Sequence, residues 1–117
     1  MFEVVGYGIL YVLCEVHYGH RILSLNCEDG QYVKCMGRGS GDGHEQLSFP
    51  YGIAFNQSNN YIYVCDTSNC RIQVFNPNNN NNNNGNVVCE IGKNELRSPM
   101  GIQYTEDIYL YVILDEW

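Results

Sequence analysis

The chain repeats itself, and the length of the period leaves few folds open. Ser48-Phe49-Pro50-Tyr51-Gly52-Ile53 is echoed by Arg97-Ser98-Pro99-Met100-Gly101-Ile102, with 49 residues from Pro50 to Pro99. An aspartate stands thirteen residues beyond each isoleucine, Asp66 after Ile53 and Asp115 after Ile102. His20-Arg21-Ile22-Leu23-Ser24-Leu25 is answered 50 residues later by Cys70-Arg71-Ile72-Gln73-Val74-Phe75. Three separate spacings that agree are not a chance similarity. A period of this size marks a stacked array, in which each unit buries its faces only against its neighbours.

Inside one period the pattern predicts four strands, over Tyr51 to Asn56, Tyr61 to Asp66, Arg71 to Asn76 and Asn86 to Gly92. Asn59-Asn60 and Thr67-Ser68-Asn69 supply turn chemistry between them, and Pro77 closes the third strand. Ten tyrosines among 117 residues, with abundant Val and Ile, suit a pleated and packed surface. No long stretch has helical periodicity, so the class is all-β. The second strand, Tyr-Ile-Tyr-Val-Cys, is apolar on both faces and must be covered on both. Four-stranded antiparallel units stacked face to face describe a β-propeller. The asparagine tract, Asn78 to Asn84, reads as a solvated loop between the third and fourth strands.

Phe49-Pro50-Tyr51-Gly52-Ile53-Ala54-Phe55, followed by Ile62-Tyr63-Val64-Cys65-Asp66-Thr67-Ser68-Asn69-Cys70-Arg71-Ile72-Gln73-Val74-Phe75, resembles the NHL repeat. The glycine-rich lead-in of that family has its counterpart in Gly37-Arg38-Gly39-Ser40-Gly41-Asp42-Gly43, with Leu47 after it. The resemblance covers one full period and implies blades of an NHL-type propeller. The N-terminal copy departs from the pattern. Aligned without a gap from Arg21, its aspartate position holds Val16 and its asparagine position Gly19, and Glu15 fits the aspartate position with a one-residue shift.

The expected division is a partial first blade and glycine-rich connection over 1–47, a complete blade over 48–92, and the start of a third over 93–117. Propellers need roughly four to eight blades, so these three units form an incomplete propeller that leaves two terminal faces open. Each open face loses the burial of several Val, Ile or Phe side chains, at roughly 1.5–3 kcal/mol each. Self-association through those faces is therefore expected.

The signature residues Pro50, Gly52, Asp66, Asn69, Arg71, Pro99, Gly101 and Asp115 are read as scaffold, because such residues mark each blade whatever the protein binds. Asp66 is expected to accept hydrogen bonds from the Thr67–Asn69 turn. Arg71 is expected to pair with a carboxylate or a backbone carbonyl between blades. The expected contact residues lie instead on the loops: Arg38, Lys93 and Arg97. No catalytic constellation can be assembled, the glycine run lacks a phosphate-loop motif, and neither a cofactor nor a metal is called for. Six cysteines without a C-x-x-C spacing read as free thiols acting as small buried hydrophobes.

What the resemblance implies is a binding module, most simply for a protein partner. A net charge of −7 disfavours RNA. No apolar run reaches the roughly 18 residues that span a bilayer, and no secretory signal is recognised, which sets the expected place as the cytoplasm. The alternatives are a piece of a propeller enzyme, a piece of an NHL-containing ubiquitin ligase, or a truncated product without function.

Overall fold

The structure is a computed structural model that describes residues 3–14, 19–78, 86–104 and 110–114. The side chains of Tyr104, Leu110 and Tyr111 lie outside that description, as do Glu15, Val16, residues 79–84 of the asparagine tract, and Asp115. Ten strands are described: β1 (Glu3–Gly6), β2 (Ile9–Cys14), β3 (Arg21–Asn26), β4 (Tyr32–Met36), β5 (Gly52–Asn56), β6 (Tyr61–Asp66), β7 (Arg71–Phe75), β8 (Val87–Ile91), β9 (Pro99–Tyr104) and β10 (Leu110–Leu114). They form two four-stranded antiparallel sheets, β1 to β4 and β5 to β8 in sequence order, and a β9–β10 pair. Among the described residues no helix is long and apolar enough to cross a membrane.

The second sheet shows why these residues make strands. Along β6, Ile62 and Val64 face one side with no exposure, and Cys65 faces the other, also with none. Ile62 and Val64 join Tyr11, Leu13, Ile22, Met36, Leu47, Ile53 and Phe75 in a core between the first and second sheets. Cys65, Ile72 and Val74 build a second core with Tyr61, Tyr63, Ile102 and Val112 against the third pair. A strand apolar on both faces is thus covered on both, which a single-sided sheet could not achieve.

Successive units meet through their first strands, β1 beside β5 and β5 beside β9, the radial arrangement of propeller blades. Close approach there depends on glycine. A Cβ on Gly6 would lie 2.5 Å from the Phe55 ring, and one on Gly52 would lie 2.7 Å from the Met100 carbonyl oxygen. Phe55 also stacks on Tyr11, with ring centroids 6.1 Å apart. The three units do not close on themselves. The first sheet's outer face leaves Val5 56% exposed, and Ile113 on the third pair is 67% exposed.

The first unit differs from its sequence reading. It carries four strands, not the end of a blade, because alternation along β2 and β3 suffices to bury Tyr11, Leu13 and Ile22 without the signature turn. Its register also moves the aspartate position. Arg21 pairs with Cys14 as Arg71 pairs with Asp66, so Cys14 stands where Val16 or Glu15 was expected. The cause is loop length: six residues separate β2 from β3, and only four separate β6 from β7. An ungapped count back from Arg21 cannot see that difference.

Gly52→Ala should lose about 1–3 kcal/mol in chemical denaturation, since a backbone oxygen of β9 cannot swing aside. Gly101→Ala should be nearly neutral, because its nearest neighbour is the mobile end of the exposed Ile113, 3.1 Å away. Equal losses at both positions would show that the β5–β9 contact is looser than its geometry.

Candidate functional site

The turn after β6 sets the position of the polar groups around Asp66 and Arg71 in the second sheet. Thr67–Asn69 forms one turn of 3-10 helix, and Cys70 closes it in the left-handed conformation with φ 53°. Its N–H donates to the Thr67 carbonyl at 3.2 Å. This tight reversal makes Asp66 and Arg71 direct cross-strand partners. Arg71 Nε donates to Asp66 Oδ2 at 2.7 Å, and both side chains are buried. Asp66 Oδ2 also accepts from Asn69 Nδ2 at 3.0 Å and from Gln73 Nε2 at 3.3 Å. Asp66 Oδ1 accepts the Ser48 N–H at 2.7 Å.

Arg71 and its neighbours then reach outward. Arg71 Nη2 donates to the carbonyls of Gly43 and Gln46 at 3.0 and 2.8 Å, and Nη1 to Glu90 Oε2 at 3.1 Å. Asn69 Nδ2 donates to the Gly41 carbonyl, and Gln73 Nε2 to that of Gln46. Thr67 Oγ1 donates to the Pro99 carbonyl at 2.7 Å, a bond into the third unit. The glycine-rich segment is therefore a folded connector, fastened at Gly41, Gly43, Gln46 and Ser48 to the end of β6 and the start of β7. Pro50 and Pro99 are buried at the ends of the two connectors.

The three loop cations sit differently. Met36 pairs with Ile22, and Ile91 with Ile72, so the first and second sheets end in register. Arg38 and Lys93 each follow two residues later, after Gly37 and Gly92 with φ of 104° and 69°. They are equivalent positions, and both are exposed. Arg38 Nε lies 3.1 Å from Oε2 of the buried Glu45, whose Oε1 accepts the Asn86 N–H. Lys93 Nζ lies 3.8 Å from Glu90 Oε1. Arg97 is exposed on the loop that leads to Pro99.

Between the connector and β8 lies an open pocket of about 380 Å³. Arg71 and Gln73 line it, with Asp42 and His44 from the connector, Val87 to Glu90 from β8, and Lys93 beyond. Sequence reading finds the signature residues and Lys93, but not the pocket. Glu90 and Gln46 carry no motif, and only the sheet register and the connector's path bring them to Arg71.

The cysteines correct one expectation. Cys65 alone of the six is fully buried; Cys27, Cys35 and Cys89 are exposed, Cys14 and Cys70 intermediate, and all six are free thiols. Burial pushes the Cys65 thiol up to about 12. At pH 8, iodoacetamide should modify Cys27 and Cys89 in the folded chain and Cys65 only after denaturation, as read by peptide mass spectrometry. Early labelling of Cys65 would mean that the second core opens readily.

Arg71→Ala strands a fully buried carboxylate and should cost about 3–5 kcal/mol. Lys93→Ala removes a long, exposed pair and should change stability by no more than about 0.5 kcal/mol. A melting temperature preserved in Arg71→Ala would contradict the structural role that the geometry gives this side chain.

The NHL repeat family model matches residues 47–75, the stretch from the buried Leu47 through the Asp66 turn to the end of β7. No curated protein matches the chain. Over residues 47–75 the chain is similar to the NHL repeat, and that stretch lies in the middle unit of an all-β, propeller-type repeat scaffold whose described sheets do not close.

Proposed function

We propose that the chain is a protein-binding scaffold whose contacts come from its connectors, with Arg38, Lys93 and Arg97 as the contact residues. One observation carries this reading. The repeat places an exposed cation at the same register step after the last strand of each four-stranded sheet, while the signature residues Asp66 and Arg71 are withdrawn into the fold. Arg38 and Lys93 each keep more than half of the side chain in solvent, 52% and 57%, where a partner's carboxylates can reach it. With six basic against thirteen acidic residues, the chain attracts a phosphate backbone poorly, which favours protein over RNA.

The test is affinity capture from lysate with and without nuclease treatment, comparing the chain with its Arg38→Gln, Lys93→Ala, Arg97→Ala triple variant, in which glutamine keeps an N–H donor for the buried Glu45. The expected result is a protein set retained by the parent and depleted at least tenfold by a variant of unchanged melting temperature. Identical capture by both would overturn the choice of residues. Capture that vanishes on nuclease treatment would point to RNA instead.

The exposed outer faces support self-association as a second mode of contact, since Val5 and Ile113 stand at positions that a further sheet would cover. Sedimentation should then show concentration-dependent oligomers, and Val5→Asp or Ile113→Asp should reduce them. A strictly monomeric chain at high concentration would remove this reading.

A further inference from the structure

The pocket beside β8 has an unbalanced set of hydrogen-bonding groups, and the imbalance defines what it accepts. Arg71 has five N–H groups, of which four are used: Nε by Asp66, both on Nη2 by Gly43 and Gln46, and one on Nη1 by Glu90. The second N–H of Nη1 has no acceptor among the described residues. Gln73 is 1% exposed, and its Nε2 lies between two acceptors, Gln46 O and Asp66 Oδ2. That fixes the amide's orientation and leaves its Oε1 without a donor among the described residues. A buried acceptor without a partner is costly, and buried polar groups are normally satisfied by protein, water or ligand. Arg71 and Gln73 stand two residues apart on β7, so alternation puts both on one face of the strand, and both line the pocket.

The pocket is thus lined by two side chains of one strand face, one with a spare donor and one with a spare acceptor. A carboxylate ligand would satisfy the donor but face Asp42, Glu90 and the Gln73 oxygen. An ammonium would satisfy the acceptor but face Arg71 and Lys93. The guanidinium charge is already matched by Asp66 and Glu90. A neutral group with an acceptor and a donor on the same edge meets both needs. A trans backbone amide points its N–H and C=O in opposite directions. A primary carboxamide presents both together.

We propose that this pocket binds the carboxamide side chain of a glutamine or asparagine in a peptide partner, its oxygen accepting from Arg71 Nη1 and its NH₂ donating to Gln73 Oε1. Val87 and Val88 supply an apolar wall for the side chain's stem, and the volume of about 380 Å³ also admits flanking residues. The inference rests on the protein-binding reading but adds a ligand chemistry that the connector cations do not specify.

The test uses the full chain and three capped hexapeptides that differ only at one central residue: glutamine, glutamate or leucine. NMR titration should move the Gln73 side-chain NH₂ and Arg71 Nε signals with the glutamine peptide. The glutamate and leucine peptides should bind at least tenfold more weakly. The glutamine peptide should also slow alkylation of Cys89, which is exposed and lines the pocket. Gln73→Leu should abolish the preference for glutamine. Should that variant fail to fold, the three titrations of the parent chain decide alone. Equal or tighter binding of the glutamate peptide, or no shift at millimolar concentrations of any, would overturn the proposal. The capture experiment with the connector triple variant is scored on a protein set, not on these peptides, so either reading can fail by itself.

Discussion

A single carboxylate organises the second unit of this protein. Asp66 has no solvent exposure and accepts from four donors: the guanidinium of Arg71, the amides of Asn69 and Gln73, and the backbone N–H of Ser48. Its charge is tolerable in the interior only because all of those partners arrive together. They come from three pieces of chain: the connector, the tight turn, and two positions of β7. Satisfying the carboxylate therefore fixes where the connector lies, how the turn closes, and which residues of β6 and β7 are opposite.

That polar hub sits between two dry interfaces. Residues of β6 and β7 alternate between a core shared with the first sheet and another shared with the third pair, so the middle of the second sheet has no solvent face, while β8 at its edge is largely exposed. Between layers, glycines at Gly6 and Gly52 let the innermost strands approach a neighbouring ring or backbone more closely than any Cβ allows. The first sheet reaches the same architecture without an aspartate at the equivalent position. Hydrophobic alternation is enough to pair four strands, and the aspartate hub adds the fastening of the connector, not the existence of the sheet.

Scaffold and surface chemistry separate along the chain. The signature residues turn inward and hold the connector, and the cations that follow each four-stranded sheet turn outward. The pocket lies where the two meet: its floor is the underside of the hub, Arg71 and Gln73, and Lys93 stands beyond the end of β8. A repeat can keep its internal bonds constant and change what it recognises by changing only connector and edge-strand residues.

The sequence by itself determined the strands of the middle unit to within a residue at most ends, the turns between them, and the double-faced burial of β6. These follow from local alternation and turn residues, which act over a few positions. It also marked Asp66, Asn69 and Arg71, because the motif spacing keeps them within one hairpin. Only the tertiary structure decided the rest. The register of the first sheet places Cys14 opposite Arg21, because pairing is set by which faces bury and not by counting along an unequal loop. Three of the six cysteines are exposed and only Cys65 is buried, because packing by neighbouring units, not residue type, determines burial. Arg71 finds Gly43 and Gln46 across more than twenty residues of chain, and Glu90 across nineteen. Contacts at that separation depend on how connector and sheet fold back on each other, which no local pattern encodes.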